Sequence, residues 1–395
     1  MPELSARVGA LQESAIRKLD LTVAEQRDVS FYRLNIGQPD VATPAPILDA
    51  IRAFQPSVIA YGPASGLPAC REAAAAYHGR WSPGLGWKDV AVTTGGSEAL
   101  LFAMTALCDP GDEILVPEPY YTNYNGFATV AGARVRPIPT TIDDNFALPG
   151  DAQLDALVTD KTRAIVFSNP GNPTGAVYSG DEIRRLLAWA VRRDIFVIAD
   201  EVYRRIWFSE PPTSALEFPE AAENVIVIDS LSKTYSSCGL RLGFLISKNA
   251  ALMEKVERLG QARLGPQPLA QHAGIAALSM SADYYEEIRQ VYKGRVDAMM
   301  DAIAQIDGAS APRPEGAFYA MLALPIDDAE RFARFLVTDF RDNGESVVVA
   351  PGPGFYAVRE RGRQQVRLAA VLEESRIRRA LEIVKAGLAV YPGRC

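Results

Sequence analysis

The segment VIVIDSLSKTYSSCGLRLGFLIS, residues 225–247, places a polar, hydroxyl-rich loop between two apolar runs. The runs at 225–230 and 242–247 are typical of strands that are covered on both faces of a sheet. Within residues 230–241, one lysine stands among five serines and threonines and a tyrosine, and an arginine follows eight residues after the lysine. A surface loop can have this composition by chance, but a site that holds a phosphate and an aldehyde needs these groups.

Five similar apolar runs precede this segment. They are DVAVTT (89–94), EILVP (113–117), RVRPIP (134–139), RAIVFS (163–168) and IFVIAD (195–200). Helical patterns lie between several of them, as at 97–108, which begins with a serine able to cap, and at 180–194. This alternation predicts an α/β fold in which a mostly parallel, seven-stranded sheet lies between helices.

The pattern changes after about residue 290. Amphipathic helices at 327–344 and 373–391, and strands at 346–352 and 364–371, predict a second, smaller α+β domain. We expect the boundary to fall inside a long helix around 280–305. The predicted organisation is an N-terminal arm that is part of the small domain (1–45), a large domain (46–290) and a small C-terminal domain (291–395).

Composition and charge exclude several classes of function. The 395 residues are 48% apolar and 23% charged, with a net charge of -7 and a pI of about 5.2. Charges of both signs are interspersed, so we expect a cytoplasmic protein that does not bind nucleic acid through a basic face. The N-terminus has no long apolar stretch, so we expect neither a signal peptide nor a membrane span.

The few cysteines and histidines predict no metal site. The cysteines are far apart and form no CxxC pair, which favours reduced thiols; they are Cys70, Cys108, Cys238 and Cys395. His78 and His272 have no partner at metal-ligand spacing, and we interpret both as packing or surface residues. Any general base is therefore expected to be another residue type.

Polar residues follow several of the predicted strands at their carboxyl ends, where parallel sheets bind ligands. After strand 89–94, GGSE (95–98) leads into a helix whose N-terminus can bind phosphate, although a glycine-rich turn would look the same. After strand 163–168, NPGNPTG (169–175) fixes an unusual loop or a tight turn. Asp200, in DEVY, is either a buried carboxylate that needs a cationic partner or a helix cap.

These motifs, in this order and spacing, resemble the class I pyridoxal-phosphate-dependent aminotransferases, which have fold type I. NPGNPTG, DEVY, and SLSK with an arginine eight residues after the lysine carry the resemblance, which extends from LNIGQPD (34–40) to VRLAAV (366–371). The overall pattern is most similar to the bacterial aspartate aminotransferases. The resemblance implies pyridoxal 5′-phosphate as cofactor and a homodimer with shared active sites.

The resemblance implies a role for each motif residue at the cofactor ring. Lys233 corresponds to the lysine that forms the internal aldimine and then moves the α-proton, for which burial and cationic neighbours can activate an amine. Asp200 corresponds to the aspartate that keeps the pyridine nitrogen protonated. Asn172 and Tyr203 correspond to the donors to the phenolic oxygen. Lys233, Asp200 and Tyr203 are thus the implied catalytic residues.

Further residues are implied at the phosphate and at the ring face. Ser230, Ser232 and Arg241 correspond to phosphate ligands. The helix start at Gly96, Ser97 and Glu98 lies beside them and is also implied in cofactor binding. Tyr121 corresponds to the aromatic residue stacked on the ring, where many members have tryptophan; a core tyrosine is the alternative. Tyr61 corresponds to a tyrosine that reaches the phosphate of the neighbouring subunit.

The implied substrate ligands are Arg367, Gly37, Asn172 and Arg263. Arg367 corresponds to the arginine that clamps the substrate α-carboxylate, and the alternative is an exposed strand arginine. Gly37 corresponds to a glycine beside that carboxylate, and the alternative is a simple turn. Arg263 is the only charged residue in QARLGPQPLAQ (261–271). We hypothesise that it binds the distal carboxylate in the other subunit's site, the alternative being a solvated arginine.

The sequence therefore predicts an aminotransferase that works by ping-pong chemistry. The resemblance favours aspartate or another dicarboxylic amino acid as donor and 2-oxoglutarate as acceptor. A β-lyase or cyclising enzyme would use the same lysine and aspartate, so it remains an alternative. A cofactor-sensing transcription regulator is disfavoured, because the predicted fold begins almost at residue 1 and the net charge is acidic. An inactive scaffold is disfavoured because Lys233, Asp200 and Arg367 are all present.

Overall fold

A computed structural model describes residues 4–9, 11 and 16–395. Its strands are β1 (Ser30–Arg33), β2 (Val90–Thr93), β3 (Glu113–Glu118), β4 (Arg134–Pro139), β5 (Thr162–Ser168), β6 (Phe196–Asp200), β7 (Val225–Ser230), β8 (Gly243–Ile246), β9 (Tyr319–Ala323), β10 (Glu345–Val348), β11 (Ala350–Pro351) and β12 (Gln365–Ala369). Its α-helices are α1 (Ala6–Gly9), α2 (Asp20–Glu25), α3 (Ala45–Ala53), α4 (Pro68–His78), α5 (Gly95–Leu107), α6 (Asn123–Val130), α7 (Asp151–Asp155), α8 (Gly180–Arg192), α9 (Leu231–Thr234), α10 (Ala250–Arg263), α11 (Pro268–Leu278), α12 (Ala282–Ile303), α13 (Ala329–Thr338) and α14 (Glu374–Val390). None of the described helices is both long and apolar enough to cross a membrane.

The larger sheet has seven strands in the order β2-β8-β7-β6-β5-β3-β4. β8 runs antiparallel to both of its neighbours, and every other neighbouring pair is parallel. The seven strands coincide with the seven apolar runs, so the predicted mostly parallel α/β sheet is confirmed.

Both faces of this sheet are buried, which explains why its strands are apolar without alternation. Val197 and Val227 pack on one face with α4, α8 and α11. Ile198 and Ile228 pack on the other face with α5, α6 and α10. In a sheet covered in this way, polar residues that bind ligands collect at the carboxyl ends of the central strands.

The start of α5 differs from the prediction. The helix begins at Gly95, so Ser97 lies in its first turn and Thr94 occupies the cap position without a side-chain hydrogen bond. The expected serine cap is therefore wrong. Gly95 has a φ of +76°, and a Cβ atom at Gly243 would lie 2.5 Å from the carbonyl carbon of Gly95. Glycine at these two positions lets β8 approach the first turn of α5 closely.

A second core surrounds an antiparallel sheet of β11, β12 and β9, together with a parallel pair of β1 and β10. Helices α12, α13 and α14 pack against it, which confirms the smaller α+β unit. The helix predicted at 327–344 is shorter because Asp328 caps its start and Thr338 ends it. The strand predicted at 346–352 is divided between β10 and β11. The domain boundaries stay a prediction.

Candidate active site

A cavity of about 520 Å³ lies at the carboxyl ends of the central strands. Its wall combines loops of the large sheet with residues of β9, β12 and the N-terminal segment. Twelve of the site residues predicted from the sequence line it: Gly37, Gly96, Ser97, Tyr121, Asn172, Asp200, Tyr203, Ser230, Ser232, Lys233, Arg241 and Arg367. The fold therefore brings together residues that lie up to 330 positions apart in the sequence.

Lys233 points into the cavity from α9, directly after β7. The hydroxyl of Ser230 accepts a hydrogen bond from the amide of Ser232 and so caps this short helix. The Lys233 amine donates to the carbonyl oxygen of Gly37 at 2.8 Å and lies 6.0 Å from the ring centre of Tyr203. The side chain is half-buried and forms no ion pair with the described residues. Its amine is placed to react with a ligand in the cavity.

Asp200 ends β6 and is only 4% exposed. Its carboxylate accepts a hydrogen bond from the Tyr124 hydroxyl at 2.7 Å and a weaker one from the Val202 amide at 3.4 Å. Burial raises the pKa of Asp200 to about 6, and these two hydrogen bonds oppose the shift. No lysine or arginine of the described chain forms an ion pair with it, and a turn at 202–205, not a helix, follows directly after β6. The helix-cap interpretation is thus wrong, and the buried carboxylate suits a cationic ligand group.

Hydroxyl and guanidinium groups from residues 230–241 lie beside the start of α5. The Ser230 and Ser232 hydroxyls are 2.7 Å apart. Arg241, with a φ of +53°, has a guanidinium nitrogen 2.7 Å from the position that a Cβ atom at Gly95 would occupy. Helix N–H groups, two hydroxyls and a guanidinium therefore line the same cavity, and together they are a donor set that suits a phosphate.

Arg367 is buried, with 1% exposure, although it carries a charge. Its guanidinium donates to the Asn172 side-chain oxygen at 3.1 Å and to the Asn35 carbonyl, while its Nε has no partner in the described chain. It lies 4.5 Å from the ring centre of Tyr319 and 5.0 Å from that of Phe355. Burial lowers the pKa of Arg367. The exposed-arginine interpretation is wrong, and the buried cation needs an anionic ligand.

Gly37 is required by a close contact with a neighbouring side chain. A Cβ atom at this position would lie 1.8 Å from the hydroxyl oxygen of Tyr319. Its φ is not in the left-handed region, so the simple-turn interpretation does not explain the glycine. The bare backbone fits between the Tyr319 ring and the Lys233 amine.

Several cavity residues were not predicted from the sequence. The Tyr319 hydroxyl lies 2.9 Å from that of Tyr203, and Asn123 donates to the Tyr121 hydroxyl at 2.9 Å. Tyr124, the partner of Asp200, lies in the same segment, PYYTNY (119–124), as the predicted Tyr121, so this segment was a usable signal. For Tyr319 no local signal exists, because it reaches the cavity through the pairing of β9 with β12.

Three predicted site residues lie outside the cavity wall. Glu98 accepts a hydrogen bond from the Thr94 amide at 2.7 Å and forms an ion pair with Arg263. Arg263 also donates to the Ala64 carbonyl at 2.8 Å. Tyr61 is 86% exposed. The roles of Tyr61 and Arg263 concern a neighbouring subunit, and they stay predictions.

Residues 30–384 match the family model described as aminotransferase class I and II. The chain belongs to this family. The aminotransferase is 33% identical over 331 residues to an aspartate aminotransferase of Streptomyces avermitilis, covering 80% of this chain and 79% of that protein. It is 30% identical over 393 residues to an aspartate/prephenate aminotransferase of Thermus thermophilus, covering 97% and 98%. The solved structure of an aspartate aminotransferase from Thermus thermophilus with maleate has a TM-score of 0.89 at 29% identity, covering 98% of this chain and 100% of that one.

Enzymes of this family depend on pyridoxal phosphate, and the cavity of this aminotransferase fits that group. Asp200 is a buried carboxylate without a cationic partner among the described residues, as a pyridinium nitrogen would require. The hydroxyls of Ser230 and Ser232 and the start of α5 form a phosphate cradle at another point of the wall. Among the described residues, no group of histidines, cysteines and carboxylates could hold a metal ion.

Proposed function

We propose that this aminotransferase transfers the amino group of aspartate, or of another dicarboxylic amino acid, to 2-oxoglutarate by ping-pong chemistry. The charge of the cavity wall carries the proposal. Its described residues include one carboxylate, Asp200, and four cations, Arg17, Lys233, Arg241 and Arg367. With Lys233 assigned to the aldehyde, Arg241 to the phosphate and Arg367 to the α-carboxylate, Arg17 has no anionic partner, which favours a substrate with a second carboxylate.

We assign the chemical steps to the residues that surround the Lys233 amine. Pyridoxal phosphate, when bound, supplies an aldehyde for the amino group and a ring that accepts electrons from the α-carbon. Lys233 is the nucleophile toward that aldehyde and the base that moves the α-proton, since no histidine lines the described wall. Asp200 would hold the ring nitrogen protonated. Tyr203 and Asn172, whose side-chain hydroxyl and amide nitrogen are 3.5 Å apart, would donate to the phenolic oxygen.

We also propose that the enzyme is a homodimer. Val58, Ile59 and Tyr61 are 72%, 74% and 86% exposed, and Leu264 is 51% exposed. The two loops that carry these residues are in contact, because a Cβ atom at Gly265 would lie 2.5 Å from the carbonyl oxygen of Gly62. An exposed apolar surface of this kind supports coverage by a second copy, which would bring Tyr61 to the neighbouring site. Light scattering of the purified enzyme tests the assembly.

A panel of amino donors tested with 2-oxoglutarate examines the proposed reaction. We expect aspartate to give the highest kcat/KM, with glutamate formed and no ammonia released. Release of ammonia from the donor would instead indicate elimination by a β-lyase. A higher kcat/KM for alanine or for aromatic donors would contradict the dicarboxylic substrate and leave the aminotransferase reaction intact.

Arg367→Lys should raise KM for every amino acid and oxo acid by about ten- to a hundred-fold, because the ammonium group cannot form the bidentate hydrogen bonds of the guanidinium with the α-carboxylate. Steady-state kinetics with aspartate and with alanine measure the effect, which should be equal for both donors. Arg363→Lys is the matched control, since Arg363 is a largely exposed arginine four residues earlier. An unchanged KM for every substrate would contradict the assigned role of Arg367.

A further inference from the structure

One cation of the cavity wall has no role in the reaction described so far. Lys233 is assigned to the aldehyde, Arg241 to the phosphate and Arg367 to the α-carboxylate. Arg17 also lines the cavity, and its side chain is exposed. Its guanidinium forms no hydrogen bond or ion pair with any other residue of the described ranges. An arginine in this position is available to a ligand.

The backbone beside Arg17 is joined to Arg367, the arginine assigned to the α-carboxylate, through a single residue, Asn35. The buried side-chain amide of Asn35 donates to the carbonyl oxygen of Ile16 at 2.7 Å. The backbone carbonyl of the same Asn35 accepts a hydrogen bond from the Arg367 guanidinium. The backbone at Ile16, the residue before Arg17, is therefore linked to Arg367 through Asn35.

The residues that follow Arg17 are attached to the second core. Lys18 forms an ion pair with Glu330 at 2.8 Å, and Asp20 forms one with Arg33 at 2.9 Å. Leu19 packs against the apolar cluster of β9, β12 and α14. This turn presents Arg17 to the cavity while Lys18, its neighbour of equal charge, is engaged elsewhere.

We propose that Arg17, from the same chain, binds the distal carboxylate of the dicarboxylic substrate and so determines its preference. The inference rests on the proposed function, because it requires a substrate that carries a second carboxylate. Arg367 takes the carboxylate at the α-carbon, and Arg17 takes the one at the far end. A guanidinium suits this task because it binds a carboxylate through paired hydrogen bonds.

Arg263 is the less suitable cation for this role. Its guanidinium is already shared between the Glu98 carboxylate and the Ala64 carbonyl. Moving it into a neighbouring cavity would leave the partly buried Glu98 carboxylate without its cationic partner. Arg17 needs no such rearrangement.

The test compares Arg17→Gln with Lys18→Gln in the holoenzyme. We expect Arg17→Gln to lower kcat/KM for aspartate and 2-oxoglutarate by about ten- to a hundred-fold and to leave alanine and pyruvate nearly unchanged. Calorimetric titration gives a second readout. Succinate should bind ten- to a hundred-fold more weakly to Arg17→Gln by the same estimate, whereas butyrate, which lacks the distal carboxylate, should bind as before. Lys18→Gln should match the wild type throughout, and Arg17→Lys should restore part of the loss.

The wild-type enzyme separates this inference from the proposed function. If the wild type prefers aspartate over alanine and succinate over butyrate, the proposed function holds, and the variants then decide the role of Arg17. Equal losses for all donors, or no loss for any, would overturn the role of Arg17 alone. A loss with Arg263→Gln that Arg17→Gln does not show would assign the role to Arg263 instead. A wild type without a dicarboxylate preference would overturn both.

Discussion

Lys233→Ala should lower kcat for transamination by about 10⁴-fold, the largest effect of any single change in this enzyme. Lys233 is the only lysine among the described cavity residues, and neither histidine of the chain lines that wall. The variant therefore loses both the proposed nucleophile and the proposed base. The other bases at the wall are unsuited to replace it, since Asp200 is engaged by Tyr124 and Tyr203 is hydrogen-bonded to Tyr319.

Single-turnover measurements of the cofactor absorbance with aspartate would follow this loss directly. Lys248→Ala is the matched control, because the Lys248 amine is exposed and contacts only the Pro83 carbonyl. Added methylamine should restore part of the Lys233→Ala rate by supplying a free base. Borohydride reduction of the wild-type holoenzyme should attach the cofactor to the peptide that contains Lys233. Attachment to any other peptide would refute the assignment.

The sequence predicted the large sheet well because its signal is local. Each central strand is a short run of valine and isoleucine, and burial on both faces requires such a run. Asp200 and Ser230 end two of these strands, so their convergence followed from the parallel topology alone. The start of α5 was misplaced by two residues because the helix begins at Gly95, in the left-handed region, and Thr94 rather than Ser97 occupies the cap position.

The sequence predicted less about the residues that arrive from the second core. Tyr319 reaches the cavity only because β9 pairs with β12, a contact that no local pattern in either strand encodes. The burial of Arg367 has the same origin, and only the resemblance to a family indicated its role. Arg17 lies in a segment whose polar sequence resembles a solvated turn. Its position depends on Asn35, which binds the Ile16 carbonyl from nineteen residues away.

Asp200→Asn should lower the single-turnover rate by about 10²- to 10³-fold. Removal of one partner of a buried charge pair costs several kcal/mol, and each 1.4 kcal/mol corresponds to about tenfold in rate. The proposed pair consists of the Asp200 carboxylate and the protonated ring nitrogen, whose charge helps the α-proton to leave. An asparagine of nearly the same shape keeps the Tyr124 hydrogen bond, so the effect on rate should come from the lost charge. A variant within a few-fold of wild type would contradict this role.

Asp200→Asn should lower the reaction rate of the holoenzyme but raise the free energy of unfolding of the cofactor-free protein. Burial raises the pKa of Asp200 from 3.8 to about 6, so the folded state holds this proton more tightly than the unfolded state. The resulting contribution to the free energy of unfolding is fully present below pH 3.8 and is lost as the pH rises through 6, which amounts to about 3 kcal/mol. Asparagine does not titrate, so cofactor-free Asp200→Asn should gain stability over the wild type between pH 4 and pH 7.

Urea unfolding of both cofactor-free proteins at pH 4 and pH 7 measures this difference in the free energy of unfolding. The contributions of all other titrating groups are the same in the two proteins and cancel in the comparison. Adding pyridoxal phosphate at pH 7 should reverse the order, since the wild type then gains a cation beside its buried carboxylate and the variant does not. The same carboxylate would thus destabilise the empty protein and strengthen binding of the cofactor. A variant that is less stable than wild type in both states would show that Asp200 is structural and that its charge has no partner in the cofactor.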